Sequence, residues 1–361
     1  MEDTLQPQDD LPLLERMMSD LAAAPEAYRP TRYWAGNQQE MVDYLRKYGL
    51  CEFRRRHSTG ARNILLSFGA TDLLRDEWAA PQLERSRLLN NRATRRLPHA
   101  DKALSLVGEQ WRRRYLRHLS GRYDAYGAAC LAFAAAKASQ WGARPPGDLV
   151  ISLVGSPEDV FHVNGRAWSY TMLNFYMRYA WTAQFVDFAS LSSVAELGSG
   201  SGKQAEVLAA LYPDLTLYLF DIPPQLYVAH QYLRSVFPER VVPYGEAVSA
   251  EPGRINLLPA WTFPRLPDIT PELFWNAASF QEMEPDVVAN YLSIVQAAGP
   301  RSVYLFELMD GLPTGVREPT TVHHYADGLP GYTLASMEPS LLADGRPEPG
   351  YSDSYWRRST S

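Results

Sequence analysis

Cysteine is scarce in these 361 residues, with only Cys51 and Cys130, 79 positions apart. Two thiols exclude a disulfide framework and any cysteine-dominated metal cluster, and they fit a reducing compartment. Long apolar runs are missing as well. No segment reaches the ~18 uncharged apolar residues that a membrane-spanning helix needs. The start, Met1-Glu2-Asp3-Thr4, is acidic where a signal peptide carries basic residues before an apolar stretch. The expectation is a soluble, cytoplasmic protein without membrane contact. Strong net charge is absent too: the formal value is −6, too small for a supercharged or disordered chain. What is present is 46% hydrophobic and 12% aromatic residues, enough for a catalytic core of roughly 150–200 residues plus a second, smaller body.

Apolar periodicity predicts helices over 11–24, 37–48, 71–80, 82–90, 101–119 and 122–141, with Pro81 separating the third from the fourth. The stretch Trp141-Gly142-Ala143-Arg144-Pro145-Pro146-Gly147 ends the last helix, because proline removes backbone donors and glycine relaxes the chain. This divides the protein into an all-helical N-terminal region, 1–147, serving as a lid, a dimer surface or both, and a second domain, 148–361. Residues 51–122 hold 16 of the 35 Lys and Arg residues against seven acidic ones. Solvated helix faces, paired with the acidic remainder or with a second subunit, account for that excess. A surface for a phosphorylated substrate is the alternative. Nucleic acid is disfavoured, since the arginines lack a recognition-helix, zinc-finger or sheet-aromatic framework.

After residue 150 the texture changes. A short strand over 151–154 and an aromatic helix over 168–188 precede an alternation of strand, glycine turn, helix and strand. Strands are predicted at 194–197, 215–220, 255–258, 273–276 and 302–308, with helices over 203–211 and 286–298, and a further strand at 332–337. The predicted class is α/β, a doubly wound, mostly parallel sheet.

Within it, Val194-Ala195-Glu196-Leu197-Gly198-Ser199-Gly200-Ser201-Gly202 places three glycines at alternating positions past an apolar strand. Such a turn lets a ligand approach backbone N–H groups. Asp221, 19 residues past Gly202, ends the next strand, where a carboxylate accepts hydrogen bonds from both hydroxyls of a ribose. Together they indicate a nucleoside cofactor. The spacing is G-x-G-x-G rather than the G-x-G-x-x-G of pyrophosphate sites, and Glu196 precedes the first glycine. An acidic site suits a cofactor that carries an ammonium or sulfonium group and no phosphate. A phosphate-binding Walker loop is excluded, since no Ser or Thr follows Lys203.

Glu196 to Gly202 with Asp221 resembles the cofactor-binding part of class I S-adenosylmethionine-dependent methyltransferases. Phe220-Asp221-Ile222-Pro223-Pro224, and Trp275-Asn276-Ala277-Ala278-Ser279-Phe280-Gln281-Glu282-Met283, are similar to segments of the sugar O-methyltransferase family. The resemblance covers about residues 165–310. It implies that Glu196, Gly198, Ser199, Gly200 and Gly202 lie beside the methionine and ribose, that Asp221 binds the ribose hydroxyls, and that Ile222 presses against adenine. It also implies that Asn276 borders the transferable methyl and that Ser279, Phe280, Gln281 and Glu282 wall the acceptor. The implied reaction is methyl transfer to a hydroxyl of a sugar or sugar-like small molecule, leaving S-adenosylhomocysteine.

Methylating an alcohol needs a group to take its proton. Glu282 is the first candidate base, although Ser279 and Glu282 also match the S-x-x-E helix-capping pattern. His323 and His324, expected in a loop after the fifth core strand with Tyr325 as a substrate contact, are the other candidates. Glu307 and Asp310 stand at a strand end near them. The spacing of the histidines to Asp310 and Asp327 is too loose for a metal site, so no metal is expected. A homodimer with a small-molecule acceptor is the expected working form.

Overall fold

The computed structural model describes residues 6–55 and 122–359. The predicted helices over 71–80, 82–90 and 101–119, and most of the basic stretch, lie outside the described residues.

Two helices open the chain, α1 (Leu11–Ala23) and α2 (Arg32–Tyr48), and α3 follows over 122–141. Helix α2 starts five residues before the predicted 37. Gly36 and the aromatic pair Tyr33-Trp34 weaken the local helical signal there, and tertiary contacts of those rings overrule it. The strand expected at 151–154 does not form. The aromatic helix is also shorter than its periodicity indicated. Trp168 belongs instead to a hairpin, β1 (Val160–Val163) and β2 (Arg166–Ser169), closed by Asn164-Gly165 with φ of 52° and 75° at the turn. Ser169 then caps α4 (Tyr170–Thr182), accepting from the Met172 N–H at 3.3 Å.

The chain continues with β3 (Ser193–Leu197), α5 (Lys203–Leu211), β4 (Thr216–Asp221), α6 (Pro223–Val236), β5 (Val241–Val242) and β6 (Ile255–Pro259). After them come α7 (Leu266–Ile269), β7 (Leu273–Ala277), α8 (Pro285–Ala298), β8 (Ser302–Leu308), α9 (Val322–Gly328), β9 (Tyr332–Leu341) and β10 (Pro347–Arg358). Eight of the strands form one sheet in the order β5-β6-β4-β3-β7-β8-β10-β9. Pairing is parallel from β5 to β8 and antiparallel where β10 joins β8 and β9. Strands β3 and β4 are buried at every position, as interior strands covered on both faces must be. This is the class I methyltransferase-like topology, a mostly parallel sheet between helical layers.

One core cluster lies on the α5–α6 face of the sheet and runs without interruption into Leu14, Met17, Met41 and Leu45 of the first two helices. The other, with Phe263, Phe274, Phe280 and Leu292, lies under α8. The N-terminal helices are also pinned by polar contacts. Arg54, only 1% exposed, donates to the Ser152 carbonyl at 2.9 Å and to the Tyr232 hydroxyl at 3.2 Å, and Tyr232 donates to Glu206. Removing one member would leave a buried charge unpaired, a large penalty. No helix among the described residues is long and apolar enough to cross a membrane.

Candidate functional site

The chain runs outward from β3 through β4 to β6 and then crosses back to β7, on the other side of β3. The crevice beyond the carboxyl ends of β3 and β7 is therefore the switch point where ligands bind in open α/β sheets. The glycine turn lies at one side of it. Gly198, Gly200 and Gly202 all have positive φ, 77°, 54° and 80°, a conformation only glycine adopts cheaply. Their surroundings differ. A Cβ on Gly198 would meet the Ser279 Oγ at 2.2 Å, and one on Gly202 would meet the Leu233 side chain at 2.8 Å, whereas a Cβ on Gly200 would meet nothing within 4 Å. The first glycine admits the β7 segment, the third admits helix α6, and the middle one leaves an open cradle.

Asp221 closes this turn from β4. Its carboxylate accepts from the N–H of Gly200 and from the N–H of Ile222, each at 2.7 Å. Burial outweighs those two bonds and raises its pKa to about 7. Glu196, 4% exposed at the end of β3, is raised to about 8 by burial and then by the negative charge of Asp221, with Arg178 pulling it down. Ser199 Oγ and both amide atoms of Gln204 are buried without a hydrogen-bond partner among the described residues. Open backbone, an acidic pair and orphaned polar atoms fit a polar, cationic ligand carrying a diol.

The β7 end is built differently. Asn276 is fully buried; its amide donates to the Leu197 carbonyl at 2.8 Å and its oxygen accepts from the Phe280 N–H at 3.2 Å, so it ties β7 to β3. Ala278 has φ of 57°, strained for a residue with a side chain. Glu307, on β8 and fully buried, accepts from the N–H groups of Ser279, Phe280 and Gln281 at 3.1–3.3 Å. Gln281 in turn donates to the Tyr351 hydroxyl at 2.8 Å. These bonds fix a single helical turn, Phe280–Glu282, in which Ser279 makes no side-chain cap. The next helix, α8, is entered through Glu284, so the capping-box explanation of Glu282 does not hold.

Glu282 instead turns toward the N-terminal helices. Its Oε2 accepts from the Trp34 indole N–H at 2.9 Å, and Tyr33 lies beside the same carboxylate. The side chain keeps a partly exposed face, and burial raises its pKa to about 8, with the charge of Asp221 adding to the rise. Glu307 is also raised to about 8 by burial, but it is sealed and its hydrogen bonds go to the backbone.

Of the remaining expected residues, His323 is exposed on α9 rather than in a loop, and His324 Nδ1 accepts from the Thr321 N–H at 3.0 Å as part of that helix's N-terminal cap. Tyr325 is fully buried against the Phe280 ring, its hydroxyl facing the charge of Glu307. Asp310 is exposed. Among the described residues no group of three His, Cys, Asp or Glu side chains is arranged to hold a metal ion. Tyr33, Trp34 and Arg178 escaped the sequence reading, because their partners lie 18 to 249 positions away and no local spacing announces them. A separate cleft of about 360 Å³, bordered by Arg16, Tyr244, Asn256 and Arg265, opens beside β6, and none of the carboxylates above lines it.

Residues 175–246, which carry the glycine turn and Asp221, match the family described as an O-methyltransferase domain. No curated protein matches the chain. Among solved structures, the mitomycin 7-O-methyltransferase MmcR is similar at 17% identity and a TM-score of 0.39, over 53% of this chain and 55% of that one. Magnesium protoporphyrin IX methyltransferase from Synechocystis PCC 6803, solved with bound S-adenosylhomocysteine, is similar at 13% identity and a TM-score of 0.39, over 53% and 84%. The pyocyanin biosynthetic protein PhzM is similar at 13% identity and a TM-score of 0.36, over 53% and 56%. The chain thus spans about half the length of MmcR, and likenesses this distant add no argument of their own. The match over 175–246 attaches the O-methyltransferase description to the half of the site that holds the glycine turn.

Proposed function

We propose that this protein is an enzyme that transfers a methyl group from S-adenosylmethionine to a hydroxyl of a sugar or sugar-like small molecule. The observation that carries the reading is a partly exposed glutamate, Glu282, in the turn that follows β7, the strand next to a glycine turn closed by Asp221. The family match over 175–246 supports an oxygen acceptor. The cofactor supplies a methyl carbon activated by positive sulfur. Asp221 would bind the ribose hydroxyls, the open backbone at Gly200 would let the cofactor approach, and Glu196 would place negative charge beside the sulfonium.

Glu282 then has one task. As the acceptor oxygen forms its bond to the methyl carbon and the carbon–sulfur bond breaks, the hydroxyl proton passes to the Glu282 carboxylate. A carboxylate raised to about 8 is a stronger base than an ordinary one, and it is half ionised near that pH. Glu307, Asn276 and the strained Ala278 hold the 279–282 turn in place, with Ser279 seated against Gly198. The helical region, 1–147, serves in this reading as the lid over the acceptor side of the domain at 148–361. A count of only two cysteines, Cys51 and Cys130, agrees with a cytoplasmic setting.

The test is incubation with S-adenosylmethionine labelled in its methyl group and a panel of glycosides, phenols and amines, with the labelled product identified by mass. Label on a glycoside hydroxyl supports the reading. Label on an amine or phenol retains the cofactor and rejects the sugar, and absence of label with every acceptor, despite cofactor binding, points to a binding protein.

A further inference from the structure

Helix α2 begins with an N-cap at Thr31, and its first turn is aimed at one loop of the sheet domain. The Thr31 hydroxyl donates to the Glu282 carbonyl at 3.2 Å, the Trp34 indole donates to Glu282 Oε2 at 2.9 Å, and Tyr33 lies beside the same carboxylate. Contacts from Thr31, Tyr33 and Trp34 therefore converge, across some 250 residues, on one glutamate. The two rings brace each other edge to face at 5.5 Å. Gly315, in the loop after β8, closes over Tyr33 so tightly that a Cβ there would lie 2.7 Å from the ring. The other titratable groups facing Glu282 are Asp221 from β4, Glu307 from β8 and Tyr351 from β10. Among all of these, Trp34 and Tyr33 are the groups whose N–H and O–H favour the ionised carboxylate.

We propose that Trp34 and Tyr33 are positioning residues for methyl transfer: the first turn of α2 fixes the orientation of the Glu282 carboxylate, so that the N-terminal helices complete the acceptor half of the site. The inference rests on the reading of Glu282 as the proton acceptor. It assigns the helical region a chemical role that fold stability alone does not require.

The experiment is carbon-13 NMR of the full-length protein labelled at the glutamate carboxyl carbon, with Glu282→Gln identifying the Glu282 signal. Trp34→Phe keeps an aromatic ring and removes the donor, and Tyr33→Phe does the same more conservatively. Each loss should raise the titration midpoint of Glu282, by about one pH unit for Trp34→Phe, since a bond to a charged group stabilises it by about 1.5–3 kcal/mol. The acidic limb of turnover on the labelled acceptor should move upward in step, with KM nearly unchanged. An unmoved midpoint in both folded variants overturns the positioning role while leaving the base assignment standing. Full turnover by Glu282→Gln overturns both.

Discussion

The glycine turn and the Glu282 loop sit at the ends of neighbouring strands, β3 and β7, yet they are held in opposite ways. The turn is contiguous: five residues fold on themselves, and one carboxylate 21 positions from Gly200 clamps it by accepting from backbone N–H groups. The Glu282 loop is an assembly, in which Trp34, Thr31, Glu307, Tyr351 and Thr320 reach it from four distant segments of the chain. A cofactor site that depends on backbone geometry can be written into a short motif. An acceptor site that depends on side chains converging from afar can change its substrate by changing any one of them.

That contrast breaks most sharply under substitution of the two carboxylates. Glu282→Gln should lower turnover by about 10²–10⁴-fold, the range of a lost general base, and leave S-adenosylhomocysteine affinity near its wild-type value. Equal losses of turnover and affinity would mean that the two ends are not separable. Next in size is Gly198→Ala. The added methyl meets Ser279 at 2.2 Å and the backbone is left at positive φ, so stability should fall by about 1–3 kcal/mol in a urea melt. Gly200→Ala, with open space around it, should cost no more than the strain of its φ; a cost equal to that of Gly198 would remove the distinction between packed and open glycines.

The cofactor end should also carry its own pH dependence. In the proposed reading Asp221 binds the ribose hydroxyls best when ionised, and burial holds its pKa at about 7, so S-adenosylhomocysteine affinity should rise by up to roughly tenfold between about pH 6 and 8. A flat profile would place Asp221 outside the ligand's reach. The smallest effect is on stability. Glu196, Asp221, Glu282 and Glu307 all have pKa values raised above those of the unfolded chain, so the folded protein binds more protons from about pH 5 to 7. Their contribution is complete at low pH and is lost as pH rises through 7 and 8. The melting temperature without ligand should drift downward over that interval, and the drift should be shallower in Glu307→Gln. Above pH 7 the buried Lys203, lowered to about 7, works in the opposite sense.

How much of this was legible follows the same division. Strands β3, β4, β6, β7 and β8 and the order of their motifs were readable, because buried parallel strands are short apolar runs closed by turns. The hairpin β1–β2 was missed although Asn164-Gly165 marks it, since the aromatic periodicity that follows masked the turn. Strand β10 was missed because Pro347, Pro349 and Gly350 read as a loop; its pairing with β8 and β9 supplies what local propensity does not. At the site, Glu196, Asp221 and the glycines stand out in the sequence by their spacing. The partners that give Glu282 its setting do not, because Tyr33 and Trp34 look like ordinary aromatic residues until the fold brings α2 against the turn after β7.

The most direct test of the central claim is calorimetric titration of the protein with S-adenosylhomocysteine, and separately with NAD, beside an Asp221→Asn variant. The account predicts saturable binding of S-adenosylhomocysteine, at least tenfold weaker in the variant because a charged acceptor is lost, and no binding of NAD. Binding of NAD, or S-adenosylhomocysteine binding that is indifferent to Asp221, would contradict it.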